Sequence, residues 1–478
     1  MSTPLKRPNP VSYGTIDDLQ SLIQPNADTA PRDTPVTIQL YPDANSPISH
    51  PRRLHRYALP LLSTIVSTMF LLLVVAWATI ASFPVLVLKW WNHKEESYTW
   101  DHERHKGEEI VKDVQYYARQ VGFEIVDEQA ETDDGYFLRI HRVVNPRRPI
   151  SDEDRGGYPV LILHGLFQSS GAFITSEERS LAFWLSENGG YQVFLGNTRG
   201  VFQMGHKQFD YDDPQFWDWT IQDLAMYDLP ALVEWVCNAT GYDKIAFIGH
   251  SQGNGLAFLT LSQDLRPDIG DKLSCFIALA PAVYAGPLTN GFPFNLLGRV
   301  DWNSWQQIFG IHDFIPVMRY SYDWVPARPF AAVGYIMFAY LFAWTDANWL
   351  KRRKVKVFRF TPTPVSSASI FWWCGKGGFA QRKCTLEERV PRWFDQRFPP
   401  LLIYYGGRDF LVDTENLLER LRKHEEHVRL LKVVKLDEAE HCDFYLAASA
   451  VEWCFHSILE DIERTRIDST DNSYMDMA

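Results

Sequence analysis

The chain has 478 residues, 46% of them hydrophobic and 14% aromatic, enough for a large core plus an elaboration beyond one minimal domain. Its formal net charge of −12, with no long basic stripe, argues against a nucleic-acid partner. Six cysteines in so long a chain are no disulfide scaffold, and neither they nor the scattered histidines have zinc-ligand spacing, so no metal is expected.

Residues 1–56 are rich in proline, serine, threonine and aspartate and read as a disordered polar tail, closed by PRRLHR. Residues 57–89, YALPLLSTIVSTMFLLLVVAWATIASFPVLVLK, carry no charge before Lys89. A helix needs about 20 such residues to cross about 30 Å of hydrocarbon, so this stretch is expected to attach the chain to a membrane. It lies too far from the start, and is too long, for a cleaved signal peptide. One tilted span from about 60 to 83 is the preferred form, and a hairpin entering and leaving one leaflet, suited to a lipid-droplet monolayer, is the alternative. Arg52, Arg53 and Arg56 before the segment place the N-terminus on the cytoplasmic side. The main domain would then be lumenal, where Asn238-Ala-Thr240 matches an N-glycosylation acceptor.

Residues 100–460 read as the globular part. VKDVQYYARQVGF (111–123) has helical spacing, and FEIVDEQAETDDGYFLRIHRV (123–143) reads as two strands about Asp134-Gly135. Further strands are expected in YPVLILHG (158–165), YQVFL (191–195), DKIAFIGHS (243–251), LSCFIALAPAV (273–283), PPLLIYYGGRD (399–409) and VRLLKVVKL (428–436). Short apolar strands alternating with amphipathic stretches predict a mostly parallel sheet covered on both faces, with its chemistry at the carboxyl ends of the strands. Residues 285–395 break the pattern with aromatic, proline-rich runs and read as an inserted cap, dividing the core into 100–284 and 396–460. Within the cap, Cys374 and Cys384 are close enough in sequence for a local bridge. Residues 461–478 read as a frayed polar tail.

The stretch KIAFIGHSQGNGLAFL (244–259) places Ser251 between a strand and a helix. Gly249 and Gly253 permit a tight crossing, so Ser251 is expected on a strained turn with its hydroxyl presented as a nucleophile. A serine needs a base, and the base an acid that fixes its tautomer. Asp409 follows one strand end and His441 the next, in the order such an elbow requires. Asp413 and Asp437 are rival acids less directly at a strand end, and His424 and His427 lie in a charged, solvated helix. An oxyanion would need two backbone donors. The amide of Gln252 supplies one and that of Leu166, after the His164-Gly165 turn, the other, with His164 read as holding the loop. The chemistry calls for no cofactor, and no glycine-rich dinucleotide fingerprint is present.

DDGYFLRIHRV (133–143), HGLFQSS (164–170), LGNTRG (195–200), FWDWTIQDLAMYDLPA (216–231), GHSQGN (249–254), GGRDFLVD (406–413) and HCDFY (441–445) occur in this order. Together they resemble the acid lipase family, which includes lysosomal acid lipase, gastric lipase and fungal steryl ester hydrolases, over about residues 100–455. The resemblance implies an α/β-hydrolase core with an inserted cap, Ser251, Asp409 and His441 as the triad, and Leu166 and Gln252 as the oxyanion hole. It implies cleavage of long-chain acyl esters of sterols or triacylglycerols, and the apolar segment ahead of the core looks like the fungal steryl esterase branch. Steryl esters are the expected substrate, with triacylglycerol lipase as the alternative. An inactive lipid-binding scaffold and acyl transfer are the rival functions. The cysteine-bracketed WWCGKGGFAQRKC departs from the family's usual cap.

Overall fold

The alternating apolar runs assemble into one sheet of eight strands, ordered β1-β2-β4-β3-β5-β6-β7-β8, in a computed structural model that describes residues 53–91, 105, 107–148 and 157–475. The expected disordered tail at 1–56 lies outside the described residues up to 52. β1 (Glu124–Glu131) and β2 (Phe137–Val144) form the predicted hairpin, and β2 runs antiparallel to β4 (Gln192–Gly196). β3 (Pro159–Leu163), β4, β5 (Ile245–His250), β6 (Leu273–Leu279), β7 (Leu401–Gly406) and β8 (Leu430–Leu436) are mutually parallel. Every residue of β3, β5, β6 and β7 is buried, because helices cover both faces of the parallel part.

The apolar N-terminal segment is one unbroken helix, α1 (Arg53–Trp91), so the hairpin alternative is not the form the chain takes. Its stretch Leu62–Pro84 is long and apolar enough to cross a membrane. α2 (Leu229–Thr240) continues a π turn at Leu224–Asp228 and ends at Gly241 in the left-handed region (φ 69°). α3 (Gln252–Thr260) follows β5 directly.

Between β6 and β7 the regular elements of the described chain are helices joined by irregular segments. They include α4 (Trp302–Phe309), α5 (Ala327–Leu341), α6 (Lys351–Val357) and α7 (Ser367–Cys374), packed over the carboxyl edge of the sheet. α8 (Thr414–His424) links β7 to β8.

Two sequence-based expectations are corrected. Cys374 and Cys384 are free thiols: Cys374 ends α7 and lines the pocket described below, whereas Cys384 is buried beside Tyr284, whose backbone pairs with its own. The frayed tail expected from 461 is instead helical, since α9 spans His456–Met475. Ile458 and Ile462 are fully buried on its inner face, and Asp461 accepts a hydrogen bond from the Tyr404 hydroxyl at 2.6 Å.

Candidate active site

β5 ends at His250, and the chain must reverse into α3 within one residue. Ser251 makes that turn with φ 51° and ψ −115°, a conformation L-residues rarely hold, fixed by its amide bonding Leu279 O at 3.1 Å. The flanking glycines have steric reasons. A Cβ on Gly253 would lie 2.8 Å from the carbonyl oxygens of Leu163 and His164, where α3 crosses β3, and one on Gly249 would overlap the Asn254 side chain.

The loops after β7 and β8 bring the two partners to this turn. Ser251 Oγ lies 2.7 Å from His441 Nε2, and His441 Nδ1 lies 2.7 Å from Asp409 Oδ2. The second Asp409 oxygen accepts the amides of Leu411 (2.9 Å) and Val412 (3.3 Å), which fixes the carboxylate's orientation. Asp413 is occupied as the N-cap of α8. His441 and Asp409 are nearly solvent-free, with side-chain exposures of 3% each. The arrangement can deprotonate Ser251 and stabilise the resulting imidazolium.

Gln252 opens α3, so its amide belongs to the first turn, which lacks helical acceptors. Leu166 and Gln252 line the same cavity as Ser251, as two amides aimed at one developing oxyanion would require. Gly165 must be glycine here: a Cβ would come within 2.9 Å of His250 and 3.0 Å of Ser251. His164 is buried, which pushes its pKa down to about 4, and the neutral ring bridges Gly165 O (2.9 Å) and the Thr198 amide (3.4 Å). It therefore holds the loop. Because the folded pKa lies below the unfolded one, this stabilisation is full above about 6.5 and is lost as pH falls towards the folded value. The stability gap between wild type and His164→Asn should narrow by up to about 1.4 kcal/mol per pH unit below 6.5 in chemical denaturation.

Sequence reasoning missed a supporting shell. His250 is fully buried, which holds its pKa well below the ordinary value, and its Nε2 sits 2.9 Å from the His441 carbonyl. Gln168 Oε1 accepts the Gly165 amide at 3.2 Å and its Nε2 donates to Tyr445 at 2.9 Å. From the cap, the Trp373 indole donates to Gln252 Oε1 at 2.9 Å, and Trp344 lies nearly parallel to the His441 ring (18°, centroids 6.5 Å apart). Glu440, next to His441, accepts the Thr345 amide (2.5 Å) and hydroxyl (2.6 Å), which binds the cap to the histidine loop. The HSQG and HCDFY motifs signalled His250 and Tyr445; nothing local signalled the cap tryptophans.

A cavity partly open to solvent lies above Ser251, with about 650 Å³ of empty space when the solvent opening is included. Phe294, Phe342, Trp344, Trp373, Phe379, Leu411 and Val412 give it an apolar wall. Among the described residues, His105, Glu108 and Glu177 also come together with metal-ligand geometry, but Lys356 pairs with both carboxylates and already supplies the positive charge.

A family profile described as "Partial alpha/beta-hydrolase lipase region" matches residues 114–177, and one for the alpha/beta hydrolase fold matches 158–311. The chain is 30% identical over 394 residues to Sterol esterase 2 of Saccharomyces cerevisiae, covering 74% of this chain and 72% of that protein. It is 32% identical over 360 residues to the lysosomal acid lipase/cholesteryl ester hydrolase of Homo sapiens, covering 71% and 87% respectively. The chain belongs to the acid lipase family. It is accordingly a carboxylic ester hydrolase with the α/β-hydrolase fold. Lipase lipl-1 of Caenorhabditis elegans is a further relative, at 28% identity over 69% of this chain and 86% of its own length.

Proposed function

We propose that this member of the family is a membrane-attached serine hydrolase that releases long-chain fatty acids from steryl esters. The observation that carries the reading is the continuous Ser251–His441–Asp409 relay, with both contacts at 2.7 Å, at the floor of an apolar cavity. His441 takes the Ser251 proton as Oγ attacks the ester carbonyl. The amides of Leu166 and Gln252 hold the oxyanion, and loss of one such donor costs about a hundred- to a thousandfold in rate. His441 then protonates the departing sterol oxygen, and water releases the acid from the acyl-enzyme by the same route. Asp409 keeps Nδ1 protonated, so that Nε2 faces the serine.

The aromatic cavity suits a flat sterol or an acyl chain, and similarity to a sterol esterase favours the sterol ester. Similarity to proteins named lipases keeps triacylglycerol as the second reading. The test is hydrolysis of cholesteryl or ergosteryl oleate against triolein by the purified full chain in the same micelles. Faster release from the steryl ester is expected, and a clear preference for triolein would replace the assignment.

Attachment rests on α1, whose outer residues Met69, Leu72 and Ile80 are more than 60% exposed while wholly apolar. Insoluble esters collect in bilayers and droplets, and attachment keeps the enzyme at that surface. If the domain faces the lumen, Asn238, exposed on the last turn of α2, is expected to carry a glycan. An endoglycosidase-sensitive mass shift absent from Asn238→Gln would show it. An unshifted wild-type chain would place the domain on the cytoplasmic side.

A further inference from the structure

α1 is docked on the cap, not held clear of it as a tether. Its small residues Ser63, Ser67, Val74 and Ala78 recur on one face and are buried. Phe70 packs edge-on against Phe309 of α4, with ring centroids 5.2 Å apart. The opposite face is open and apolar. Apart from Phe410, beside Asp409, the exposed large hydrophobic residues among those described lie on α1 or within the cap.

One contact ties α1 to the cavity. Trp77, 51% exposed, donates its indole N–H to the Tyr340 hydroxyl at 2.8 Å, and its ring lies 5.8 Å from that of Phe292. Tyr340 in turn donates to the Phe292 carbonyl at 3.0 Å. Two residues beyond each partner, Phe294 and Phe342 line the cavity, and both are half-exposed, as is Leu411 on the same wall. The exposed Leu296 and Phe410 continue this rim in sequence. Trp77 of α1 is thus linked, through Tyr340 and Phe292, to the two chain segments that carry the partly exposed wall residues Phe342 and Phe294.

We propose that α1 forms one side of the substrate entrance. Trp77 and Tyr340 fix its position, so that an ester dissolved in a lipid layer slides along α1 past Phe294 and Phe342 to Ser251 without crossing water. The partner of this surface is the hydrocarbon of a bilayer or monolayer. The inference rests on the proposed esterase reading for its substrate and on the structure for its route. A layer that covers α1 would then reach the mouth, because Trp77 holds Tyr340 and Phe292, each two residues from the cavity lining. Removing the Trp77–Tyr340 bond then loosens the cap segments 292–294 and 340–342 where the ester passes, whereas a small water-soluble ester does not depend on the lipid side.

The experiment uses the full chain bound to phosphatidylcholine vesicles containing cholesteryl oleate, with p-nitrophenyl butyrate in solution as the second substrate. Loss of one aromatic contact and one hydrogen bond predicts that Trp77→Ala slows vesicle hydrolysis about tenfold, and Tyr340→Phe by a few-fold. Butyrate kcat/KM and flotation with vesicles stay at wild-type values for both. Equal losses on both substrates, or a vesicle rate untouched by Trp77→Ala, would overturn the proposal. If the wild type ignores cholesteryl oleate, the sterol assignment fails. Triolein in the same vesicles then reads the entrance with the same expected and contrary results.

Discussion

Ser251→Ala is expected to lower hydrolysis of long-chain esters by about four to six orders of magnitude while leaving the unfolding midpoint unchanged. The substitution removes only Oγ, whose hydrogen bond within the described structure goes to His441. The backbone keeps its amide bond to Leu279 and its strained φ. Steady-state turnover and denaturation of the same preparation check both halves. A variant retaining a tenth of wild-type turnover would mean that another group attacks the ester.

Glu177→Ala is expected to cost about 3–5 kcal/mol of stability, because it takes away the carboxylate that buried cations share. Glu177 is 4% exposed and accepts from Arg353 and Lys356 at 2.6 Å each and from Arg352 at 3.2 Å. These cations lie on α6, so the cluster fastens the cap to the loop that follows β3. Burial alone would raise the Glu177 pKa; Arg353, Lys356 and Arg352 outweigh it and hold the group at about 2. The folded value lies below the ordinary 4.5, so the stabilisation is complete above 4.5 and fades as pH falls towards 2. Linkage over that interval amounts to on the order of 3 kcal/mol, in agreement with the mutational figure. Chemical denaturation at neutral pH should show the loss, and the gap between variant and wild type should close on acidification. A difference below about 1 kcal/mol at neutral pH would mean that Glu108 compensates through Lys356.

The sheet and the relay were readable in the sequence because both depend on local signals. β3, β5, β6 and β7 are short apolar runs ending in turns, and Ser251, Asp409 and His441 each sit just past a strand end. The supporting groups depend on the path of the cap, which no local pattern encodes. Trp373 reaches Gln252 across 121 positions, and Thr345 reaches Glu440 across 95. Nearness in sequence leaves a Cys374–Cys384 bridge possible, but the fold sends one to the cavity wall and the other beside Tyr284. The docking face of α1 was present as small residues at helical spacing, but apolar residues all round the helix hid it. Past residue 461 polar composition suggested fraying, yet Ile462 and the Tyr404–Asp461 bond hold the helix onto the sheet.

The most direct test of the account is covalent capture of the nucleophile. The purified chain is treated with a long-chain alkyl fluorophosphonate, cholesteryl oleate hydrolysis is followed in parallel, and the modified residue is mapped by peptide mass spectrometry. A single adduct on Ser251 is expected, with a stoichiometry that tracks the loss of hydrolysis. Inactivation with Ser251 unmodified, or full modification of Ser251 with hydrolysis intact, would contradict it.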